Sequence, residues 1–298
     1  MIVPGLFAAP IARYKQKSKE ALWRQLCSVR SSKKAFEDSA YLGGLGLPHI
    51  KPEGTGVAYD DLVQGPTKRW IHVTYGLATT ITEEAIEDIQ YDDVPTSMTG
   101  QTREIGDSIA ELTEVLVHNV FNNGTATTYH TCGDTLALFS GSHTRLRGGT
   151  FSNLLSPAAD LSATTLQTAI DNFMTIKSMA GRYQSIKPRR ILLHPNNAWK
   201  AKELLRSGYD PETANNAINA IKDFNLSLVI SPHYTDTDAF TLIAEPATEA
   251  SGLIAFERRK PKFATDGDFE TGDVKFKGTY RFSVECNLPD NLYHSAGA

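Results

Sequence analysis

The side chains in this sequence that could do chemistry begin with a histidine and cysteine group. His130 and Cys132 are two residues apart, and His143 follows in the same Thr- and Gly-rich segment. Imidazole and thiolate are ligands that zinc prefers, but a structural zinc site needs four of them. No fourth ligand stands at a matching spacing. We therefore expect no metal site and no bound cofactor.

Other residues with catalytic side chains stand in unfavourable settings. Acidic residues that could supply paired carboxylates equally suit the positive end of a helix and a solvated face; they are Glu83, Glu84, Glu87 and Asp88. His194 follows an apolar strand pattern, which favours a hydrogen-bonded structural histidine over a general base. The run Ser140-Gly141-Ser142-His143 lacks the spacing of a G-x-S-x-G nucleophile elbow. We predict no catalytic residues, and that the chain is not an enzyme.

Nucleotide-binding motifs are also missing from the sequence. There is no Walker A loop. Gly43, Gly44 and Gly46 precede Pro48 and not a helix, so they form no dinucleotide fingerprint. Nothing in the sequence therefore predicts a nucleotide-binding enzyme.

The composition is that of a soluble protein. Of 298 residues, 41% are hydrophobic and 21% are charged, which is ordinary, and no apolar run approaches the ~20 residues of a membrane span. The net charge of -4 does not suggest a freely diffusing nucleic-acid binder. Cys27, Cys132 and Cys286 are widely separated, so they form no disulfide framework and fit a reducing compartment.

Positive charge is concentrated in a few segments. Residues 13–34 contain eight Lys or Arg against Glu20 alone. Further basic patches are Lys68-Arg69, Arg145-Leu146-Arg147 and Arg258-Arg259-Lys260-Pro261-Lys262. These patches are compatible with charge-paired subunit contacts and with sequence-independent phosphate contacts. For residues 13–34 we favour subunit contacts, because Leu22, Trp23 and Leu26 need a packing partner.

Two long elements must position these groups. Apolar residues spaced three and four apart predict a helix from Thr96, its N-cap, to Asn122, about 40 Å long; they are Met98, Ile105, Ile109, Leu112, Leu116 and Val120. An acidic turn, Thr82 to Asp88, precedes it. Near the C-terminus, apolar residues alternate from Val274 to Leu288, which predicts a strand of ~15 residues where about 5 to 6 is usual. Gly278 interrupts the alternation and suggests a bulge or bend.

The remaining segments predict an arm, a hairpin and a small α/β domain. The pattern of residues 1–50 predicts an extended arm that contains a short helix from Ser18 to Ser28. The arm is either unstructured or ordered against a neighbouring subunit. Alternation from Val57 to Val63 and from Ile71 to Leu77, around Gly65-Pro66-Thr67, predicts a hairpin with Trp70 at its tip. It should lie on this chain or on another copy. Helices interleaved with short strands then predict the α/β domain: helices near 162–179, 197–207 and 214–221, and strands at 191–193, 226–230, 240–244 and 252–256.

Several blocks, in this order, resemble the major capsid proteins of tailed bacteriophages, which have the Hong Kong 97 fold. The blocks are Gly100, Arg103, Gly106 and Ala110 with Asn122-Asn123-Gly124; Leu138-Phe139-Ser140 with His143; Gly148 to Asn153 with Leu161-Ser162; Lys187-Pro188 to His194-Pro195 and the helix to Leu204-Leu205; and the strand from Phe276 to Leu288. The pattern is most similar to the branch that includes the phage Mu major head subunit.

The resemblance implies an α+β fold divided into four parts. Residues 1–50 would be the N-terminal arm, and 51–81 the extended β-hairpin, or E-loop. The peripheral domain, with a long spine helix and long β-strands, would comprise 82–130 and 257–298, and the axial α/β domain 131–256. Residues expected to contact neighbouring subunits are Leu22, Trp23, Leu26, Lys68, Arg69 and Trp70.

The resemblance also implies partners and a location. The chain would assemble with itself as hexamers and pentamers in a shell around packaged double-stranded DNA, with a portal, a scaffolding protein and an optional decoration protein. It would have no membrane partner, would be assembled in the host bacterial cytoplasm and would reside in the virion. Two alternatives stay open: an encapsulin-like compartment shell, and an α/β enzyme with a site in residues 190–256.

Overall fold

The computed structural model describes residues 5–84, 94–209, 218–246 and 248–298. The chain divides into two compact units. The first comprises Met1–Glu37, Trp70–Val117 and Ala255–Val284, and the second Asp38–Arg69, His118–Ile254 and Glu285–Ala298. Among the described residues, no helix combines the length and the apolar character needed to span a bilayer.

Five α-helices and twelve strands form the described part of the chain. The helices are α1 (Gly5–Glu20), α2 (Trp23–Leu26), α3 (Val94–Asn122), α4 (Ala163–Met174) and α5 (Ala198–Arg206). The strands are β1 (Ser28–Ser31), β2 (Phe36–Leu42), β3 (Gln64–Ile71), β4 (Val73–Ile81), β5 (His143–Thr144), β6 (Thr150–Phe151), β7 (Pro188–Leu193), β8 (Ser227–Ile230), β9 (Phe240–Ala244), β10 (Leu253–Gly267), β11 (Val274–Cys286) and β12 (Leu292–Ser295).

The first unit is built on a sheet with the strand order β1-β10-β11-β4. β10 has 15 residues and β11 has 13, so the long alternating strand predicted near the C-terminus is present. Phe276, Tyr280 and Phe282 of β11 are buried, as the alternation requires. β11 pairs with β4 in antiparallel register from Val274 opposite Ile81 to Phe282 opposite Val73.

The predicted long helix is also present. α3 has 29 residues, or about 43 Å at ~1.5 Å each, and begins at Val94, two residues before the predicted N-cap. Pro95 therefore lies in the first turn, where a missing N–H costs nothing. Within the first unit its buried face comprises Thr102, Ile105, Gly106, Ile109, Thr113 and Val117. Most of the acidic turn predicted before it, from Ala85 onward, lies outside the described residues.

Gly278 makes no bulge, contrary to the prediction. The pairing of β11 with β4 runs through this position without a shift. A Cβ built on Gly278 would lie 2.7 Å from Ile105 Cγ2 and 2.7 Å from Ile109 Cδ1. The glycine is therefore required because α3 crosses β11 too closely for any side chain.

The N-terminal segment is largely helical, where an extended arm with a helix from Ser18 was expected. α1 occupies Gly5–Glu20 and includes Pro10, which removes one helix hydrogen bond. α1 packs on α3: a Cβ on Gly106 would lie 2.6 Å from the Pro10 carbonyl oxygen. Arg13 pairs with Asp107 at 2.9 Å. These contacts with α3 offset the cost of the proline, which the local sequence does not reveal.

The second unit contains an α/β sheet with the order β12-β9-β7-β8. The strand predicted at 252–256 is not part of it, because residues 253–256 begin β10 of the other sheet. β7 is parallel to β8 and antiparallel to β9. α4 begins with a capping box between Ser162 and Thr165, and α4 and α5 bury apolar faces in one core with the sheet. β8 and β9 agree with the predicted strands. The helix expected over 214–221 lies mostly outside the described residues, and a 3-10 helix, Ala220–Phe224, follows.

The C-terminal residues belong to this second sheet. β12 pairs with β9, from Leu292 opposite Ile243 to Ser295 opposite Phe240. The sequence prediction instead places these residues in the same domain as the long strand, within residues 257–298. All four residues of β12 are buried, so the chain end completes the α/β core.

The predicted hairpin is replaced by two strands in different sheets. β3 pairs with β2, whereas β4 belongs to the sheet of β11. Gly65 and Pro66 lie inside β3: Gly65 lacks the positive φ that many glycine turns need, and proline is tolerated where a strand edge is unpaired. Residues 43–63, which include the predicted strand Val57 to Val63, contain no helix or strand.

Candidate assembly surface

Trp70, predicted at the tip of a hairpin that lies on this chain or on another copy, is buried in the first unit. Its side chain is 0% exposed and contacts Phe256 edge to face, with ring centroids 5.6 Å apart. His72, two residues after Trp70, is also buried, and its Nδ1 lies 2.8 Å from Ser283 Oγ. Trp70 thus packs within its own unit, and a contact of this residue with a neighbouring subunit stays a prediction.

Trp23 and Leu26 are likewise occupied within the chain. Trp23 is 1% exposed and meets Phe282 edge to face at 5.6 Å. Arg24 lies over the Trp23 ring, 4.5 Å from its centroid. The packing partner that these apolar residues require is therefore the first unit's own sheet and not another copy.

The start of α2 is fixed by a carboxylate from α3. The backbone N–H groups of Leu22 and Trp23 donate to Glu114 at 2.7 and 3.1 Å. The first N–H groups of a helix have no partner within it, and a carboxylate satisfies them while complementing the helix dipole. Leu22 is only half-buried, so of the three arm residues it alone retains apolar surface.

Lys68 and Arg69 point to different surroundings in the second unit. Lys68 Nζ donates to the Thr131 carbonyl at 2.6 Å and pairs with Glu285 at 3.2 Å, so its charge is used internally. The Arg69 guanidinium donates two parallel bonds to Asp38, at 2.7 and 2.9 Å. That pair is about half exposed, so a neighbouring subunit can reach it.

The basic residues of segment 13–34, which we call the basic arm, pair with acidic residues of their own unit at several points. Besides the pair of Arg13 with Asp107, Arg24 Nη2 lies 2.9 Å from Glu257, and Lys34 lies 3.0 Å from Glu37. The expected acidic partner surface is thus partly supplied within the chain. Lys15, Lys17 and Lys19 of α1 stay exposed.

An apolar surface that the sequence analysis did not single out is a loop, residues 43–63, which we call the apolar loop. Its ends meet where the Gly43 N–H donates to the Val63 carbonyl at 2.6 Å. The Asp60 carboxylate accepts from the Gly46 N–H and from Arg147, both at 2.7 Å. These two contacts, the Gly46 N–H first, lower the pKa of Asp60.

Large side chains of the apolar loop face solvent. Ile50 is 95% exposed and Tyr59 is 99% exposed. The others in the loop and at its start are Leu42, Leu45, Leu47, Val57, Leu62 and Val63. Large exposed apolar patches mark interaction surfaces in soluble proteins, and this concentration of exposed apolar side chains makes the loop a candidate for one. The sequence predictions divide this segment between the arm, residues 1–50, and the predicted strand from Val57 to Val63.

The histidine and cysteine group is brought together in the second unit, but as a buried polar cluster. His130 Nδ1 lies 2.8 Å from Glu285, and His143 Nδ1 lies 2.7 Å from Asp134. Within the residues that the structure describes, no three His, Cys, Asp or Glu side chains are arranged to hold a metal ion. His194 accepts a hydrogen bond at Nδ1 from the Asn196 N–H at 3.2 Å and so caps a 3-10 helix.

The fold is that of subunits that build closed protein shells. The capsid structure of cyanophage P-SCSP1u is similar at a TM-score of 0.60 and 14% identity, over 94% of this chain and 88% of that chain. The capsid of Ralstonia phage GP4 gives 0.57 and 10%, over 91% and 87%. The SrpI encapsulin of Synechococcus elongatus gives 0.53 and 10%, over 92% and 86%. At these identities the likeness shows the fold alone.

The family is shown by the sequence itself. The family model described as phage capsid protein matches residues 67–294, well over half of the chain. The chain therefore belongs to this phage capsid protein family and is a major capsid shell protein. No curated protein sequence matches it.

Proposed function

We propose that this chain is the major head subunit of a tailed bacteriophage, and that it assembles as hexamers and pentamers into an icosahedral shell around double-stranded DNA. Membership of the phage capsid family supports this proposal. The observation within the structure that carries it is the apolar loop, because a chain with so much exposed apolar surface needs a partner to cover it. We also propose the Hong Kong 97 fold in the branch that includes the phage Mu head subunit.

The parts of that fold are assigned as the resemblance implies. We propose residues 1–50 as the N-terminal arm and 51–81 as the E-loop region. Residues 82–130 and 257–298 would form the peripheral domain and 131–256 the axial domain, except that β12 at the end of the second range joins the axial sheet through β9. The lengths of α3, β10 and β11 support the peripheral assignment, and the sheet of β7, β8 and β9 supports the axial one.

Contacts between subunits fall on exposed groups in this proposal. The apolar loop is the main contact in this proposal, and Leu22, Lys68 and Arg69 are further contacts. Burying a large apolar side chain fully contributes about 1.5–3 kcal/mol. Several such side chains per subunit, repeated through a shell, supply ample free energy for assembly.

The other partners follow from the role. We propose that the shell contacts packaged DNA, a portal, a scaffolding protein and an optional decoration protein, and that it has no membrane partner. It would form in the host bacterial cytoplasm and become part of the virion. The chain would act as a structural protein with no catalytic activity, no cofactor and no metal.

An encapsulin-like compartment is the second candidate. The likeness to the SrpI encapsulin over 92% of this chain favours it as an alternative. The content of purified particles separates the two roles. Genome-length DNA supports the phage head, and an enclosed enzyme supports the compartment.

Variants of the apolar loop test the proposed assembly surface. Leu47→Ser, Ile50→Ser and Tyr59→Ser together remove apolar surface from side chains that are exposed within the chain. We expect the variant to keep the circular dichroism and unfolding midpoint of the native chain, yet to form no closed shells in light scattering and electron microscopy.

The control changes the same loop without touching its apolar surface. Lys51→Ser and Glu53→Ser together alter two exposed charges of opposite sign, and this variant should assemble normally. Normal shells from the triple serine variant would contradict the assignment of the apolar loop as the subunit contact.

A further inference from the structure

Two of the three cysteines lie side by side in the core of the second unit. Cys132 is 2% exposed and Cys286 is 0% exposed. The backbone holds their segments together, because the Gly133 N–H donates to the Asn287 carbonyl at 2.9 Å. The two side chains are hydrogen-bonded to each other. The capsid role described above gives this pair no task.

The surroundings of the pair shift the pKa values of the two thiols in opposite directions. Burial would raise the pKa of Cys132, but the hydrogen bond from Cys286 and the interactions with His130 outweigh burial and lower the pKa to about 6. Burial and the neighbouring Cys132 raise the pKa of Cys286. Cys132 therefore ionises more readily than Cys286, and the Cys286 thiol donates a hydrogen bond to the Cys132 sulfur.

Charged groups around the pair support that assignment. Burial alone would lower the pKa of His130, but its hydrogen bonds to Cys132 and Glu285 raise it. His143 adds positive potential near Cys132. Asp290 and Glu285 act on Cys286, where negative charge favours the protonated thiol. Lys68 pairs with Glu285 at 3.2 Å and is the last of the charged groups around the two cysteines that we name.

We propose that Cys132 and Cys286 form a peroxide-reactive dithiol, which closes to a disulfide within one chain and fastens the segment after α3 to the end of β11. In the first step the Cys132 thiolate attacks one oxygen of hydrogen peroxide, the O–O bond breaks, and hydroxide leaves. The product is a sulfenic acid on Cys132. In the second step Cys286 sulfur attacks the Cys132 sulfur, and the S–O bond breaks. The Cys286 proton and the hydroxyl group leave as water.

The balance of the two steps is complete. Two thiols lose two electrons and two protons in all, and one peroxide is reduced to two waters. Burial selects the oxidant, because a small peroxide reaches such a site through local opening of the surrounding loop, whereas a bulky disulfide such as oxidised glutathione is excluded. The thiolate is the reactive form of cysteine, which assigns the first attack to Cys132.

Cys27 provides a control inside the same molecule. Its thiol donates to the Trp23 carbonyl at 3.3 Å, and burial raises its pKa. It lies in the first unit and has no second cysteine there. A protonated thiol reacts slowly with peroxide, so Cys27 should survive a treatment that oxidises the pair.

The test is a thiol count and a peptide map of the full chain. Reduced protein is treated with hydrogen peroxide, denatured with an alkylating reagent, digested and analysed by mass spectrometry. The free thiols should fall from three to one, with a peptide that joins Cys132 to Cys286 and an unmodified Cys27. The midpoint of urea unfolding should rise, and dithiothreitol should reverse the change. Persistence of all three thiols, or oxidation of Cys27 alone, would overturn the proposal.

Single variants sharpen the result. Cys27→Ser should form the disulfide as the native chain does, whereas Cys132→Ser and Cys286→Ser should not. If either of the last two fails to fold, the peptide map of the Cys27→Ser protein decides alone. The linked peptide supports the proposal, and its absence refutes it.

His130 is a positioning residue in this scheme, and its role shows in a pH profile. The interactions with His130 lower the pKa of Cys132 and so raise its ionised fraction at pH 7, whereas an ordinary pKa near 8.5 leaves only about 3% ionised. His130→Gln should therefore slow peroxide reaction at pH 7 by up to about 30-fold, and the rate should recover near pH 9. A slower rate without a shift of the profile would show that His130 only supports the fold.

Discussion

Gly278 offers the sharpest test of how the first unit is packed. In Gly278→Ala the new methyl group would lie 2.7 Å from methyl carbons of both Ile105 and Ile109, and 3.1 Å from Phe263. Ile105 cannot turn away, because β-branched side chains in helices are confined to one rotamer. Overpacking of this kind costs about 1–3 kcal/mol. Alanine recovers about 0.5–1 kcal/mol of backbone entropy, so we expect a net loss of about 1–2 kcal/mol.

Gly76 is the matched control, because it lies in the adjacent strand β4, opposite Thr279. A Cβ there would meet Thr279 Cγ2 at 3.5 Å, an ordinary contact. Gly76→Ala should therefore gain the entropy term without the overlap. The two alanine variants should differ by about 2 kcal/mol in the free energy of unfolding, which isolates the overpacking term.

The assay is urea unfolding of the unassembled chain, followed by tryptophan fluorescence. Trp23 and Trp70 are both buried in the first unit and report its unfolding. Ile109→Val removes one of the two clashing methyl groups. In the Gly278→Ala background it should restore at least about 0.5 kcal/mol relative to additivity. Equal stabilities for Gly278→Ala and Gly76→Ala would refute the close crossing of α3 over β11.

Two further predictions concern stability. Trp70→Ala should destabilise the unassembled chain by about 3–5 kcal/mol, because the indole is buried in the chain itself. The control Ile71→Ala, at an exposed neighbour, should cost about 0.5 kcal/mol or less. Equal effects of the two variants in urea unfolding would show that Trp70 is not a core residue. Asp134→Asn should reduce stability most between about pH 4 and 6.5. Burial opposes both shifts, but the bond between Asp134 and His143 lowers the pKa of the carboxyl and raises that of the imidazole. The Asp134 contribution is lost as pH falls through its folded pKa, and the His143 contribution as pH rises through its own. A constant difference from pH 4 to 9 in urea unfolding would contradict this.

The regular elements could be predicted because their periodicity is long. Twenty-nine residues of α3 and the alternation of β11 repeat one apolar face many times, so single exceptions do not hide the pattern. α4 was equally clear, since Leu166, Ile170 and Phe173 recur on one apolar face, although the helix ends at Met174 and not near residue 179. Each of these signals is local in sequence.

The errors arose where tertiary contacts decide the local structure. Pro10 suggested an extended arm, but α1 is stabilised by α3. Gly65-Pro66-Thr67 suggested a turn, but the glycine serves a close approach: a Cβ there would lie 2.9 Å from both Tyr41 and Leu146. Turn residues can serve packing as well as turns, and the sequence alone does not separate the two uses.

Two of the candidate contact residues pack within the chain for a related reason. Trp23 and Trp70 were chosen because large apolar residues in unsupported segments need a partner. The partner turned out to be Phe282 for one and Phe256 for the other, both far away in sequence. The same argument applied to Ile50 and Tyr59 leads to exposed side chains, and there the need for another copy persists.

Electron microscopy of the purified full chain tests the central claim most directly. A capsid shell protein should be found as closed particles of uniform diameter with icosahedral symmetry, built from rings of five and six subunits. In a reconstruction, the apolar loop of each subunit should lie against a neighbouring copy. A stable, dispersed monomer with residues 43–63 still exposed to solvent, under conditions that preserve the fold, would contradict the account.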